Sequence, residues 1–177
     1  LMVTGVQTCA LPICLVPTNG IKYEPQDDGM VVTGYTGTET NIVIASTVDG
    51  KTVKRIQASA FSGSNIQSVY IPGTVETIGD SAFSGCSLLK TVKMMEGVKR
   101  IEAKAFECCN SLREINLPVS VEFLGVALFP DNGEDMLVYY GGTKAQFDAM
   151  IKDCHNWNIQ SPVTVVFSDK NRMKYSE

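Results

Sequence analysis

The stretch Thr74–Met94 reads TVETIGDSAFSGCSLLKTVKM, and near-copies of it stand on either side. One runs TVKRIQASAFSGSNIQSVYI over Thr52–Ile71, the other GVKRIEAKAFECCNSLREINL over Gly97–Leu117. A degenerate fourth unit, SVEFLGVALF, begins at Ser120. Their phenylalanines, Phe61, Phe83, Phe106 and Phe129, fall 22, 23 and 23 residues apart. Apolar columns travel with them: Val53, Val75, Val98 and Val121; Ile56, Ile78, Ile101 and Leu124; Ala60, Ala82, Ala105 and Leu128. A fixed period of this length is the mark of a solenoid, in which one supersecondary unit is stacked on the next.

The second half of each unit decides which solenoid. Ile66-x-x-Val69-x-Ile71, Leu89-x-x-Val92-x-Met94 and Leu112-x-x-Ile115-x-Leu117 carry the L-x-x-L-x-L pattern of a leucine-rich repeat strand. Two-residue alternation turns Val69 and Ile71 inward and Ser68 and Tyr70 outward. Pro72 and Pro118 end their strands, because proline cannot donate to the next rung of a ladder. One unit alone buries almost nothing, so the core exists only in the stack.

The flanks read as caps. Ile21–Gly34, IKYEPQDDGMVVTG, predicts a hairpin turning at Asp28-Gly29, followed by an irregular first strand at Ile42-Val43-Ile44 and a second turn at Asp49-Gly50. Downstream, Val138–Tyr140 predicts a fifth strand. Thr143-Lys144-Ala145-Gln146 is a capping box opening a helix with Phe147, Met150 and Ile151 on one face. A last strand is expected over Val163–Phe167, and a loose polar tail after it. The expected fold is a mainly β leucine-rich-repeat solenoid with an N-terminal hairpin cap and a C-terminal helix-strand cap. Its parts divide as 20–50 (cap and first irregular repeat), 51–137 (repeats), 138–169 (C-terminal cap) and 170–177 (tail).

Those residues resemble the BspA-like leucine-rich repeat family of bacterial surface proteins. The family's typical unit reads close to SVTSIGDSAFSGCSSLKSVTIP, which Thr74–Lys93 nearly reproduces. VYYGGTKAQFDAMI resembles the family's closing YYxGTxxxW, with Phe147 where Trp is usual. The resemblance implies a secreted or cell-surface setting and a role in adhesion or host-protein binding.

Composition narrows the field. A chain of 177 residues with 44% hydrophobic and 19% charged content is that of a folded protein. A net charge of −4, with Lys and Arg scattered singly, argues against nucleic acid as a partner, since phosphate binding needs a concentrated basic face. No apolar run reaches the roughly 20 residues of a membrane-spanning helix. Val3–Ile13, VTGVQTCALPI, matches the translation of a common sequencing adaptor. Residues 1–16 are therefore expected to stand outside the fold, with the native N-terminus missing.

Chemistry-bearing residues are few. Cys154-His155-Asn156 has the residue types of a cysteine hydrolase, but adjacent residues on a short loop point apart, and no second His exists to act as base. Cys86 and Cys109 share one column, three residues after Phe, which reads as a ladder of buried thiols with a disulfide or redox role as the alternative. Asp131-Asn132-Gly133-Glu134-Asp135 lacks the spacing of a calcium loop and reads as a solvated turn. No zinc spacing is present, no cofactor is implied, and no catalytic residues are assigned. What remains is a face. Strand phase puts Val43, Tyr70, Lys93, Asn116 and Tyr139 in one outward row, with Ser68, Thr91, Glu114 and Leu137 beside it. Tyr70, Lys93, Asn116 and Tyr139 are the candidate ligand-binding residues, for a protein or glycan ligand. The alternative is a spacer domain within a larger surface protein.

Overall fold

The structure, a computed structural model, describes residues 15–131, 135–153 and 162–175. It opens with a hairpin, β1 (Ile21–Gln26) and β2 (Gly29–Tyr35), followed by β3 (Asn41–Val43), β4 (Thr47–Val48) and β5 (Lys51–Ile56). Each repeat then supplies one longer and one short strand: β6 (Ser68–Ile71) and β7 (Thr77–Ile78), β8 (Thr91–Met94) and β9 (Arg100–Ile101), β10 (Glu114–Leu117) and β11 (Phe123–Leu124). The chain closes with β12 (Met136–Tyr140), α1 (Lys144–Asp153), β13 (Val163–Val166) and β14 (Arg172–Tyr175).

These strands form two sheets facing each other across the core. One has the order β1-β2-β5-β7-β9-β11, with β4 beside β5; the other runs β14-β13-β12-β10-β8-β6-β3. Pairing between successive repeats is parallel and register-true, with Val69 opposite Val92 and Ile78 opposite Ile101. The inward columns are fully enclosed. Val75, Ile78, Phe83, Leu89, Val98, Ile101, Phe106, Leu112, Ile115 and Leu117 are all 0% exposed.

Between the sheets, each repeat turns through its phenylalanine. Phe61 and Phe83 stack with ring centroids 5.0 Å apart, Phe83 and Phe106 at 5.5 Å, and Tyr35 heads the column 5.9 Å from Phe61. The turns also form a hydrogen-bonded ladder. The Phe61 amide donates to the Ala82 carbonyl, Phe83 to Ala105 and Phe106 to Leu128. Buried backbone groups on this third side of the coil therefore have partners, as burial demands. Phe129, in the degenerate fourth unit, is only half-buried against the core.

Several expectations shift by a residue or more. The first hairpin turns on Asp27-Asp28, with Gly29 already paired to Gln26, one residue earlier than its Asp-Gly pair suggests. The fifth strand begins at Met136, and the last repeat-type strand ends at Val166. The tail is not loose throughout: β14 pairs antiparallel with β13, placing Val166 opposite Arg172 and Thr164 opposite Lys174. Its turn contains no glycine. Lys170 takes the positive φ (65°), and the Asn171 amide donates to Asp169 Oδ1. The Asp49-Gly50 turn is as expected, with φ of 50° and 74° closing β4 on β5, the geometry of a primed hairpin turn. The capping box is also present. Thr143 N donates to Gln146 Oε1 at 2.8 Å, and Gln146 N to Thr143 Oγ1 at 3.3 Å.

Candidate functional site

The outward face of the sheet containing β6, β8 and β10 carries the candidate residues. Register pairs Val43 with Tyr70, Tyr70 with Lys93, and Asn116 with Tyr139. Asn116 itself follows Ile115, which lies opposite Val92. The row continues further than the repeat pattern alone shows, through Val166 to Arg172. The neighbouring row runs Asn41, Ser68, Thr91, Glu114, Leu137, Thr164 and Lys174. Tyr139 is 40% exposed and Lys93 is exposed, while Tyr70 and Asn116 are half-buried.

Asn116 differs from its neighbours in what its side chain does. Its Oδ1 accepts from the Met94 amide at 2.7 Å, and its Nδ2 donates to the Met94 carbonyl. The carboxamide thus stands in for a strand rung at the end of β8. Both functional atoms are engaged with backbone, so Asn116 shapes the face from within. Lys93 is the opposite case. Among the described residues its ammonium has no ion pair or hydrogen bond.

Three grooves follow the row. The first, about 560 Å³, is lined chiefly by Leu15, Val43, Tyr70, Thr91, Lys93 and Met95. A second, about 290 Å³, shares Thr91 and Lys93 with it and reaches Asn116 and Tyr139. A third, about 420 Å³, continues from Asn116 and Tyr139 to Val166 and Ser168. Shared walls make them one interrupted trough across the strands. Leu15, in the span expected to stand apart from the fold, forms part of the first wall.

Among the described residues, the other candidates do not assemble a reactive centre. Cys86 and Cys109 are buried free thiols, and each donates to a carbonyl one repeat back: Cys86 Sγ to Phe61 O at 3.0 Å, Cys109 Sγ to Phe83 O at 3.1 Å. Contact with the Cys86 thiol, and then burial, pushes the Cys109 thiol well above its usual range, keeping it a protonated donor. Cys154-His155-Asn156 lies outside the described residues, as do residues 132–134 of the acidic turn. Asp135 bonds to Thr164 at 3.3 Å and Lys174 at 2.9 Å, tying β13 and β14 together. No group of metal-ligating side chains gathers among the described residues, and no helix there is long and apolar enough to cross a membrane.

Repeat geometry and sequence meet in one comparison: the BspA type leucine rich repeat region matches residues 40–134, in six copies. The chain belongs to the BspA-type leucine-rich repeat family. Solved structures agree. A leucine-rich repeat protein from Bacteroides capillosus ATCC 29799 is 29% identical with a TM-score of 0.62, over 72% of this chain and 98% of that one. The T. pallidum leucine-rich repeat protein TpLRR is 28% identical with a TM-score of 0.61, over 70% of each chain. A third, from Bacteroides ovatus ATCC 8483, is 26% identical with a TM-score of 0.57, over 73% of this chain and 38% of that one. No curated protein matches the chain.

For this BspA-type repeat, sequence reading reached the centre of the face and missed its far end. Arg172 and Lys174 belong to it because β14 extends the sheet. The one available signal was the charged-apolar alternation Arg172-Met173-Lys174-Tyr175, which has strand period.

Proposed function

We propose that this BspA-type domain is a non-catalytic binding module of the cell surface or secreted space, presenting its exposed strand face to a protein or glycan ligand. A single observation carries the reading. Tyr70, Lys93 and Tyr139 emerge in register from one sheet, outside every core column, along a trough. Tyrosines supply large, rigid contact area at low conformational cost, and a cation between them supplies orientation. The family scaffold gives the same kind of surface in other repeat proteins, whose stacked units make extended binding faces.

The test is a binding screen of the full chain against extracellular-matrix proteins and surface glycans. Wild type is compared with the Tyr70→Ala, Lys93→Ala, Tyr139→Ala triple variant. The expected result is a ligand whose binding drops at least about tenfold in the variant, with an unchanged melting curve, since a few anchors dominate most interfaces. A ligand held equally by both proteins would move the site elsewhere. A screen with no ligand at all would favour the spacer role.

A further inference from the structure

The exposed row is symmetrical about its own middle. From β3 to β13 it reads Val43, Tyr70, Lys93, Asn116, Tyr139 and Val166, one residue on each of six consecutive strands. Counting outward from the line between β8 and β10 gives a polar residue, a tyrosine and a valine on either side. The neighbouring row over the same strands, Asn41, Ser68, Thr91, Glu114, Leu137 and Thr164, carries one charge, that of Glu114. Lys93 and Glu114 thus flank the central line from opposite sides. Among the described residues neither side chain has an ion pair or hydrogen bond.

A surface of this kind fits its own copy. In an isologous contact residue i meets residue j of the partner and j meets i, so the patch must be self-complementary about a twofold axis. An axis lying along the strands between β8 and β10 lays two sheets face to face with their strands aligned, a usual mode of sheet packing. It sets Val43 on the partner's Val166, Tyr70 on the partner's Tyr139 and Lys93 on the partner's Asn116. In the neighbouring row Thr91 meets the partner's Glu114 and Asn41 the partner's Thr164, so no two like charges face each other. The partner's Glu114 lies two residues, about 6.6 Å, from its Asn116, an offset that the Lys93 stem can span. The groove beside Lys93 is walled by Glu114 as well, which suits a partner carrying both signs of charge.

The shape of the stack permits such a contact. A repeat array bends when one side of its coil advances faster than another. Here both sheets and the turns between them advance by one ladder step per repeat: Val69 to Val92, Ile78 to Ile101, Phe61 N to Ala82 O. With about 4.8 Å per step on every side, the face stays nearly flat. Six steps from β3 to β14 make it roughly 29 Å wide, and four residues of strand give it roughly 13 Å of height. That is small for a specific interface, which buries at least about 600 Å² per partner, so the contact should be weak and depend on concentration.

We infer that this face pairs with the same face of a second copy of the chain. The inference rests on the binding-module reading and names the partner of that site.

Sedimentation velocity of the full chain, from micromolar to millimolar concentration, tests it. Wild type should pass from monomer to dimer across that range. Lys93→Glu and Glu114→Lys each bring like charges together across the axis twice, and each should weaken the dimer at least about tenfold. An equimolar mixture of the two variants should recover the wild-type association, because every contact across the axis then joins opposite charges. Melting curves should be unchanged throughout, since both residues lie outside the core columns. A wild-type chain still monomeric at millimolar concentration, a dimer indifferent to either swap, or variants that stay apart when mixed would each overturn the pairing. The two readings fail differently. A monomer that holds a screened ligand through Tyr70 and Tyr139 keeps the binding face and removes the self-pairing.

Discussion

At the scale of the residue, the repeat imposes backbone conformations that only part of the sequence announces. Two positions after each of the first three Phe the chain is left-handed: Gly63 at φ 70°, Gly85 at 74° and Cys108 at 57°. Glycine in the first two copies made that position legible, because it adopts positive φ without steric penalty. Cys108 holds the same conformation with a Cβ, and its side chain is exposed. Cys108→Gly is expected to stabilise the domain by up to about 1 kcal/mol, read as a higher denaturant midpoint at unchanged slope. A lower midpoint would mean that the thiol makes a contact worth more than the strain. The column two residues before each Phe is left-handed too, at Ser59, Ser81, Lys104 and Ala127, and no glycine marks it. Nothing in those residue types reveals it. It is held by hydrogen bonds from the next coil, such as Ser59 N to Asp80 O and Ser81 N to Ala103 O. The bond of the Asn116 side chain to the Met94 backbone is hidden for a similar reason. Period-two alternation gives a side chain's direction and is silent on whether backbone has already claimed it.

At the scale of the element, the C-terminal cap shows how an irregular end is held shut. Phe147 of α1 is 0% exposed and meets Tyr140, Phe167 and Tyr175 with centroids 5.1, 5.9 and 5.5 Å away. Asp148, one residue along, accepts from Lys144 and from the Tyr175 hydroxyl at 2.9 Å, which joins the helix to β14. Burial, and then that hydrogen bond, holds the Tyr175 phenol well above its usual range. The sign follows from linkage. A raised folded-state value contributes stability below the unfolded phenol value of about 10, and that contribution is lost as pH climbs beyond it. Wild type should therefore lose more stability than Tyr175→Phe between pH 9 and 11. At neutral pH the variant should be weaker by about 1 kcal/mol, a typical net hydrogen bond. Parallel pH profiles for the two proteins in urea melts would show that the bond does not couple cap to helix. The helix itself was readable from its capping box and apolar face; β14 was not, because its turn relies on Asp169 and Asn171 where glycine would be the usual signal.

At the scale of the whole molecule, stability is distributed along a line of coils, and position on that line decides what a change does. At the N-terminal end the described chain locks on at Thr18, 4% exposed. Its amide donates to Val43 O at 2.9 Å, and its hydroxyl accepts from Val43 N at 2.8 Å. Deleting residues 1–16 leaves those bonds in place, so the melting temperature should move by no more than about 2 °C, under 1 kcal/mol for a chain of this size. A fall of many degrees would place those residues in the fold. The centre behaves otherwise. Phe83 is stacked on both sides, by Phe61 and Phe106, and its amide and that of Phe61 carry the ladder between turns. Phe83→Ala should cost about 3–5 kcal/mol, as large core truncations do. Because each coil is supported only by its neighbours, the loss should also split the array's cooperativity. Hydrogen exchange distinguishes this from a local cavity. Protection is expected to fall at the Phe61 and Phe106 amides as well as at Phe83, while the amides of β1 and β2, at the far cap, change least. A loss confined to the Thr74–Met94 unit, or a cost below about 1 kcal/mol, would mean that the ring column fills space without transmitting stability from coil to coil.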